Sequence, residues 1–340
     1  MFGVGIPEKS VEEDAPTPVN DEILLKVENL KKHFPLQKGL LSARKGYVYA
    51  VDGVSFELRK GETLGIVGES GSGKSTLAKA LLRLIEPTEG TVFFEGKDIS
   101  RLPYEEFRSL KRDMQMIFQD PYGSLDPRMK VGGIVGEGLI IHGLAKGKEQ
   151  KERVAALLER VGLLPDVMKR FPHELSGGQR QRVAIGRAIA LHPKLVVGDE
   201  PLSALDVSIQ AQIVNLLEDL QKELNLSYLI ISHDLSVIEH MCSQVMVMYL
   251  GKIVEEGSRD QFYGLPLHPY SQSLLSSVPI PDPDIKRRKI ILQGDIPSPI
   301  HPPPGCRFHP RCPEKTGLCE DQEPILESKG ESHRVACHLR

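Results

Sequence analysis

The chain has 340 residues, 40% of them hydrophobic and 26% charged, which is typical of a globular protein with one large or two medium domains. Its formal net charge of −3 gives none of the basic footprint of nucleic-acid-binding proteins, so nucleic acid is not expected as a partner. No apolar run approaches the ~20 residues that cross a bilayer, and the acidic start does not fit a signal peptide. We therefore expect a cytoplasmic protein whose membrane role, if any, is peripheral.

Three regions follow one another along the chain. Residues 1–22 are acidic and show no apolar periodicity, and we interpret them as a flexible leader. Residues 23–257 alternate apolar runs with amphipathic segments, the order that produces a parallel-sheet α/β core. Residues 258–340 are rich in proline, which removes backbone donors and excludes long helices. We expect this last region to be a small appended domain whose order depends on something other than a hydrophobic core.

Within the α/β region, three apolar runs are predicted to be buried strands, at residues 63–67, 195–197 and 228–231. Between the last two runs, apolar residues recur at helical spacing and indicate a helix that packs one face against the sheet. The residues of that face are Ile213, Leu216, Leu217, Leu220 and Leu224.

Residues 68–75 read GESGSGKS and fit the P-loop pattern GxxxxGKS between a predicted strand and a helix that begins near Lys74. The glycines let backbone N–H groups converge on phosphate oxygens, and the helix N-terminus adds a favourable dipole. Lys74 is predicted to reach the β- and γ-phosphates, and Ser75 to bind Mg²⁺. The predicted ATP-binding residues of this segment are Gly68, Ser70, Gly71, Ser72, Gly73, Lys74, Ser75 and Thr76.

Two carboxylates, Asp199 and Glu200, end the apolar run at residues 195–197. An acidic residue at this place in P-loop proteins holds Mg²⁺ directly or through water, which we predict for Asp199. Glu200, one residue further, is predicted to be the general base that polarises the attacking water.

Residues 175–179 read LSGGQ and open a predicted helix. This segment resembles the signature of ABC ATPases, and with the P-loop it narrows the wider superfamily to that family. The resemblance implies an ABC cassette, with a RecA-like α/β core, an antiparallel β subdomain and a helical subdomain at about residues 120–180. It also implies a second anion site, which covers the γ-phosphate of ATP held by a partner cassette. The residues of that site are Ser176, Gly177, Gly178 and Gln179.

Other family motifs appear in order. The resemblance implies that Gln119 senses Mg²⁺ and the γ-phosphate, that Asp206 lies on the loop along the dimer interface, and that His233 contacts the γ-phosphate. The implied Mg²⁺ ligands are Ser75, Gln119 and Asp199, and the implied catalytic residues are Lys74, Gln119, Glu200 and His233. All motifs match the consensus, so the chain is expected to hydrolyse ATP.

The aromatic residue that stacks on adenine is open among three candidates. Phe34 fits best by its position upstream of the P-loop, and an insertion after it brings Tyr47 and Tyr49 into contention. The alternative for Phe34 is a packing role in the core.

The chain further resembles the ATPases of dipeptide and oligopeptide permeases, specifically the F-type subunit. The segments that carry this resemblance are residues 119–127, 201–208 and 268–270. It implies an ATPase subunit on the cytoplasmic face of the membrane, paired with a second ATPase subunit beneath two permease subunits, with an extracytoplasmic binding protein that delivers the solute. Importers of nickel, sugars or other solutes are the alternative, and a soluble ABC ATPase without a transport role is a weaker one.

Four of the five cysteines lie near the C-terminus, and the spacing between them is wider than in zinc ribbons. Thiolates in such a region can hold Zn²⁺ or a [4Fe–4S] cluster. The permease ATPases have a similar tail, and this resemblance favours the cluster, with zinc or no metal as alternatives. The predicted ligands are Cys306, Cys312, Cys319 and Cys337. The fifth cysteine, Cys242, lies in an apolar segment and is predicted to be a buried packing residue.

Overall fold

A computed structural model of the chain describes residues 22–36, 46–203, 205–278, 289–330 and 332–340. The predicted leader, residues 1–22, lies outside the described residues except for Glu22. The strands are β1 (Ile23–Pro35), β2 (Tyr47–Arg59), β3 (Thr63–Val67), β4 (Glu89–Phe94), β5 (Lys97–Asp98), β6 (Met114–Ile117), β7 (Leu195–Asp199), β8 (Ser227–Ile231), β9 (Gln244–Tyr249), β10 (Lys252–Ser258), β11 (Glu327–Ser328) and β12 (Arg334–Val335).

The helices are α1 (Lys74–Leu81), α2 (Tyr104–Leu110), α3 (Pro121–Ser124), α4 (Val131–Ile141), α5 (Gly147–Arg160), α6 (Gly177–Ile189), α7 (Val207–Leu224), α8 (Leu235–Met241), α9 (Arg259–Gly264), α10 (Pro269–Ser276) and α11 (Gly317–Asp321). Short 3₁₀ turns lie at Pro165–Lys169, Pro172–Glu174 and His309–Arg311.

The larger sheet has the strand order β11-β12-β10-β9-β3-β8-β7-β6. Its strands from β9 to β6 pair in parallel, whereas the strands on the β10 side pair antiparallel. Strands β3, β7 and β8 are buried along their whole length, as expected for continuous apolar runs in a sheet that is covered on both faces. The three predicted strands are therefore confirmed.

Two hydrophobic clusters cover the two faces of this sheet. Successive side chains of a strand point to opposite faces, so each buried strand supplies both clusters. In β3, Leu64 and Ile66 belong to the cluster that packs beneath α1 and the smaller sheet, whereas Val67 belongs to the other cluster. The smaller sheet is antiparallel, with the order β2-β1-β4-β5. The P-loop thus begins at the end of a strand that is fixed from both sides.

Helix α7 has the amphipathic face that its sequence predicts. Ile213, Leu217 and Leu220 are buried, and the other two residues of the predicted face pack against the same cluster while partly buried. The Asp206 side chain accepts a hydrogen bond from the backbone N–H of Ile209 at 3.1 Å and caps the N-terminus of the helix. This cap places Asp206 at the entrance to α7.

The C-terminal region differs from its predicted organisation. We expected a domain that does not depend on a hydrophobic core, but Tyr270 and Phe308 are almost completely buried and belong to the same cluster as Tyr249 of β9. Strand β12 also extends the main sheet by pairing with β10. Proline excludes long helices but does not prevent isolated aromatic side chains from entering a neighbouring core. Cys242, in contrast, is 1% exposed, as predicted for a packing residue.

Candidate nucleotide site

The P-loop connects β3 to α1, and its lysine points back into the loop. The Lys74 Nζ donates hydrogen bonds to the carbonyl oxygens of Gly68 at 2.7 Å and Glu69 at 2.9 Å. It also lies 3.4 Å from the Ser72 Oγ. Burial lowers the pKa of Lys74, and the nearby Glu200, Asp199 and Glu69 carboxylates oppose that effect. The ammonium is therefore buried against loop carbonyl oxygens, with three carboxylates nearby.

Glycine is required at two places where the loop approaches neighbouring backbone. Gly73 has a φ of 108°, and a Cβ built there would lie 2.0 Å from the carbonyl oxygen of Ala50. Gly68 has a φ of 149°, and its Cβ would lie 2.2 Å from the carbonyl oxygen of Met248. Both conformations are in the region that favours glycine, which explains why the pattern carries glycine at these two positions.

The two residues predicted to share a cation are in contact. The Ser75 Oγ donates a hydrogen bond to the Asp199 Oδ1 at 2.7 Å, which joins the start of α1 to the end of β7. Burial raises the pKa of Asp199, and the hydrogen bond from Ser75 works in the opposite direction. A hydroxyl and a carboxylate are oxygen ligands of the kind that Mg²⁺ prefers.

Three predicted catalytic side chains meet at Glu200. The Gln119 Nε2 donates a hydrogen bond to the Glu200 Oε2 at 2.8 Å, and the His233 Nδ1 lies 3.2 Å from the same oxygen. Glu200 has a φ of 47°, an uncommon conformation for a residue other than glycine. The chain therefore turns sharply after β7 and aims this carboxylate at residues that follow β6 and β8.

The signature segment forms the N-terminus of α6. The Ser176 Oγ accepts a hydrogen bond from the backbone N–H of Gln179 at 3.3 Å, and the Gln179 Oε1 accepts one from the backbone N–H of Ser176 at 3.0 Å. This reciprocal pair is a capping box. A Cβ at Gly178 would lie 2.8 Å from the Ile209 side chain, so the start of α6 packs against α7. The predicted second anion site is thus a well-formed helix terminus in this single chain.

The aromatic candidates lie on adjacent strands of the smaller sheet. Phe34 is 37% exposed and Tyr47 is 47% exposed, so neither is a core residue. Lys32 places its Nζ 4.9 Å from the centroid of the Phe34 ring. Tyr49 instead makes an edge contact with His33, with ring centroids 4.6 Å apart. Phe34 and Tyr47 are thus both exposed enough to meet a base, and Lys32 lies over the Phe34 ring.

The four C-terminal cysteines lie near one another. Burial raises the pKa of Cys306 to about 11, and the charges of the other thiolates add to the rise. The backbone N–H of Cys306 also donates a hydrogen bond to the carbonyl oxygen of Cys319 at 2.9 Å. Within the part of the chain that the structure describes, however, no group of three or more His, Cys, Asp or Glu side chains is arranged to hold a metal ion.

One set of contacts was missed by the sequence prediction. Glu69, a variable position of the P-loop pattern, forms an ion pair with Arg311, whose Nη1 lies 2.6 Å from the Glu69 Oε2. The backbone N–H of Glu69 donates a hydrogen bond to the hydroxyl of Tyr270 at 2.7 Å. Tyr270 ends the segment 268–270 that marked the resemblance, but nothing in the sequence places it beside the P-loop 201 residues away.

Membrane-spanning helices were searched for among the described residues. None of these helices is both long enough and apolar enough to cross a membrane.

Comparison with protein families gives two matches. The ABC transporter family matches residues 51–203, and the C-terminal region of the oligopeptide/dipeptide transporter family matches residues 254–319. The first match contains the P-loop, the signature and both carboxylates. The second contains Tyr270, Arg311 and three of the four clustered cysteines.

Curated relatives match almost the whole chain. The oligopeptide transport ATP-binding protein AppF of Bacillus subtilis is 52% identical over 326 residues, which cover 95% of this chain and 99% of that protein. The dipeptide transport ATP-binding protein DppF of Haemophilus influenzae is 48% identical over 314 residues, which cover 92% of this chain and 96% of that protein.

Solved structures support the predicted cassette fold. The ATP-binding cassette MJ0796, described as a dimeric post-hydrolysis state bound to ADP and Pi, has a TM-score of 0.62 at 29% identity, covering 69% of this chain and 99% of that one. CbiO1 of Clostridium perfringens, part of the ABC transporter complex CbiONQ, has a TM-score of 0.61 at 28% identity, covering 72% of this chain and 92% of that one. The ABC cassette fold is confirmed.

Proposed function

Because the chain belongs to the ATP-binding proteins of oligopeptide and dipeptide ABC transporters, we propose that it is the subunit whose ATP hydrolysis drives peptide import. The observation that carries the proposal is the meeting of Gln119 and His233 at Glu200, beside the contact between Ser75 and Asp199. These contacts support the proposal of a P-loop, a cation site and a base at one edge of the sheet. The relatives are named for peptides, which favours peptides over nickel or sugars.

Each side chain has a role in this reaction. Lys74 exchanges its contacts with loop carbonyls for the β- and γ-phosphates of ATP. Ser75 and Asp199, with Gln119, would hold Mg²⁺, which neutralises charge on the phosphates. Glu200 accepts a proton from the attacking water, and His233 stabilises the γ-phosphate. Phe34 stacks on the adenine.

A second cassette completes the site. We propose that the γ-phosphate of the ATP on the partner cassette is covered by Ser176, Gly177, Gly178 and Gln179. The helix N-terminus that they form has no phosphate to bind within its own chain. Asp206 lies on the loop at the same interface. The cassette MJ0796 is described as dimeric, which supports this arrangement. In the transporter the partner is a second, different ATPase subunit, and ATP closes the pair until hydrolysis releases it.

The membrane subunits are the remaining partners. A groove of 280 Å³ lies between the end of α1, β6 and helices α4 and α6. Phe118, the neighbour of Gln119, lines it together with Leu84 and Ile141, which are both exposed. An apolar segment of a permease subunit seated here would sense changes at Gln119. This contact would hold the chain at the cytoplasmic face of the membrane, where two permease subunits receive solute from an extracytoplasmic binding protein.

The four clustered cysteines are our proposed ligands of a [4Fe–4S] cluster. All four donors are thiols, which suit iron–sulfur clusters. A single Zn²⁺ and no metal are the alternatives. The cluster would have a structural role in this region.

The proposed [4Fe–4S] cluster is tested on anaerobically purified protein by its visible spectrum and by iron and zinc analysis. We expect a broad shoulder near 400 nm and about four irons per chain. Cys319→Ser should reduce both signals, whereas Cys242→Ser, which changes a cysteine outside the group, should leave them unchanged. One zinc per chain, or no metal, would contradict the proposal and leave the ATPase assignment intact.

The base is tested by Glu200→Gln. We expect this variant to bind MgATP with nearly unchanged affinity but to lose ATP hydrolysis by at least about a hundredfold, because the water loses its proton acceptor. Phosphate release and nucleotide titration measure the two properties separately. Glu152→Gln, at an exposed carboxylate of α5, is the matched control and should hydrolyse ATP normally. Retained hydrolysis in Glu200→Gln would remove Glu200 from the role of base.

The solute is tested with the complete transporter in membrane vesicles. Uptake of a labelled tripeptide should require ATP inside the vesicle and stop when this subunit carries Glu200→Gln. Uptake of nickel or a sugar in place of peptides would contradict peptide import while leaving ATP hydrolysis established.

A further inference from the structure

The residue that links the P-loop to the C-terminal region is Glu69. Its carboxylate forms a bidentate ion pair with Arg311, at 2.6 Å and 3.0 Å. Its backbone N–H donates to the Tyr270 hydroxyl at 2.7 Å, and its carbonyl oxygen accepts a hydrogen bond from Lys74 at 2.9 Å. All three polar groups of this residue are therefore engaged, two of them by the C-terminal region and the third by the lysine that binds phosphate.

Both C-terminal partners are themselves held firmly. The Arg311 side chain is only 8% exposed, and its Nη1 also lies 3.5 Å from the Tyr249 hydroxyl. The Tyr270 ring is fully buried, with its centroid 4.8 Å from that of Tyr249 and 5.4 Å from that of Phe308. Buried partners with defined rotamers lose little conformational freedom when they hold another group. Glu69 is thus attached to a fixed part of the molecule.

The P-loop needs such an attachment because its own backbone is permissive. Gly68, Gly71 and Gly73 all have positive φ values, a conformation that glycine adopts with a large loss of backbone freedom. Phosphate binding requires the loop N–H groups to converge in one conformation. Contacts that hold the loop in that conformation before ATP arrives reduce the ordering cost of binding.

We propose that Arg311 and Tyr270 are positioning residues of the nucleotide site. Both act on ATP through Glu69, whose carbonyl oxygen contacts Lys74. The C-terminal region is then a part of the ATP-binding machinery. Neither residue contacts the phosphates. This inference goes beyond peptide import, because it concerns nucleotide affinity and holds whatever solute is carried.

The test measures the Kd of MgADP for the full chain by isothermal titration calorimetry, which separates binding from hydrolysis. Arg311→Gln is expected to weaken MgADP binding by about tenfold, because the loop loses a charged hydrogen-bonded partner. Arg311→Lys keeps the charge but loses the bidentate geometry, so it should recover part of the affinity. Arg340→Gln, which breaks an ion pair with Glu314 in the same region, is the control and should bind normally.

The route through Glu69 is tested by a double-mutant cycle. In a Glu69→Ala background, Arg311→Gln should have almost no further effect on the Kd, because the contact it removes is already gone. If the full loss persists in that background, Arg311 acts on the nucleotide by its charge and not through Glu69, and the proposal is wrong. This outcome is independent of whether the protein hydrolyses ATP or supports transport.

Tyr270→Phe provides a second test with a smaller structural change. It removes only the hydroxyl that accepts the hydrogen bond from Glu69, and we expect MgADP binding to weaken by about threefold to tenfold. Tyr228→Phe is the matched control, since its buried hydroxyl donates to the carbonyl oxygen of Leu217 and does not contact the P-loop. A lower melting temperature in Tyr270→Phe with an unchanged Kd would show a purely structural role and overturn the proposal.

Discussion

Single residues at the nucleotide site are held in states that are unfavourable without a ligand. Asp199 is 3% exposed, and its burial raises the pKa of the carboxyl. Lys74 is also buried, and its pKa is lowered. Each shift disfavours the charged form of a group that, in the proposed reaction, is charged when it binds Mg²⁺ or phosphate. A bound ligand of opposite charge stabilises the charged form of each group and offsets the cost of its desolvation.

Asp199→Asn tests this balance. The folded-state pKa of Asp199 lies above the unfolded value of 3.8. The protonated carboxyl therefore stabilises the folded state below the unfolded pKa, and this contribution is lost as the pH rises through the folded pKa. Without Mg²⁺ at pH 7, Asp199→Asn should therefore unfold at a higher urea concentration than the natural protein. This advantage should shrink as the pH falls through the folded pKa and vanish below the unfolded pKa of 3.8, where the carboxyl is protonated in both states.

The same substitution should lower ATP hydrolysis by at least about a hundredfold, because a neutral amide replaces the carboxylate that we propose binds Mg²⁺. Asp206→Asn, at an exposed helix cap, is the control for the unfolding experiment. A gain in stability that does not change with pH would contradict the electrostatic explanation.

At the scale of elements, one helix terminus serves two purposes. The capping box at Ser176 satisfies backbone donors of α6, and the same terminus is our proposed site for the γ-phosphate on a partner cassette. A stabilising role and a binding role on one hydroxyl are easily confused, because alanine removes both. The cap alone contributes about 1 kcal/mol to stability.

Ser176→Asp separates the two roles. Aspartate is as good an N-cap as serine, so the melting temperature should change little, whereas its negative charge should repel the γ-phosphate of a partner. In the Glu200→Gln background with MgATP, we expect Ser176→Asp to abolish dimer formation, measured by size-exclusion chromatography with light scattering. Ser176→Ala should lower the stability by about 1 kcal/mol. Normal dimers in Ser176→Asp would place the phosphate contact elsewhere.

At the scale of the whole molecule, the cassette and the C-terminal region share one core. Phe308, Tyr270 and Tyr249 pack with ring centroids 4.8 to 5.4 Å apart, although they come from both regions. The buried Glu255 of β10 accepts hydrogen bonds from the backbone N–H groups of Leu267 and His268. The described parts of residues 23–257 and 258–340, the two domains predicted from the sequence, thus share buried contacts, and we expect them to unfold together.

Phe308→Ala tests this unity by differential scanning calorimetry. The natural protein should unfold in a single transition. The variant should also unfold in one transition, with a free energy of unfolding lower by about 3–5 kcal/mol, because a fully buried ring is lost. Phe34→Ala is the control for an exposed ring and should have a small effect on stability. Two separate transitions, with only one of them shifted by Phe308→Ala, would show that the regions fold independently.

Much of the nucleotide site follows from the sequence because its motifs are contiguous. The P-loop, the signature and the pair Asp199–Glu200 each lie within one strand, turn or helix start, where spacing and residue type determine the local geometry. The three buried strands and the apolar face of α7 follow from periodicity for the same reason. The role of Gln119 was implied by the resemblance to a known family, and its contact with Glu200, 81 residues away, was not predicted.

What the sequence by itself determined about this protein is its family, its chemistry and the order of its buried elements. Only the tertiary structure decided that the C-terminal region enters the main core, that Arg311 contacts Glu69 across 242 residues, and that Tyr270 supports the same residue. The physical reason is that periodicity and turn chemistry act over a few residues, whereas contacts between distant residues depend on how whole elements pack. The sequence pattern around a buried tyrosine or arginine does not depend on which distant residue its side chain contacts.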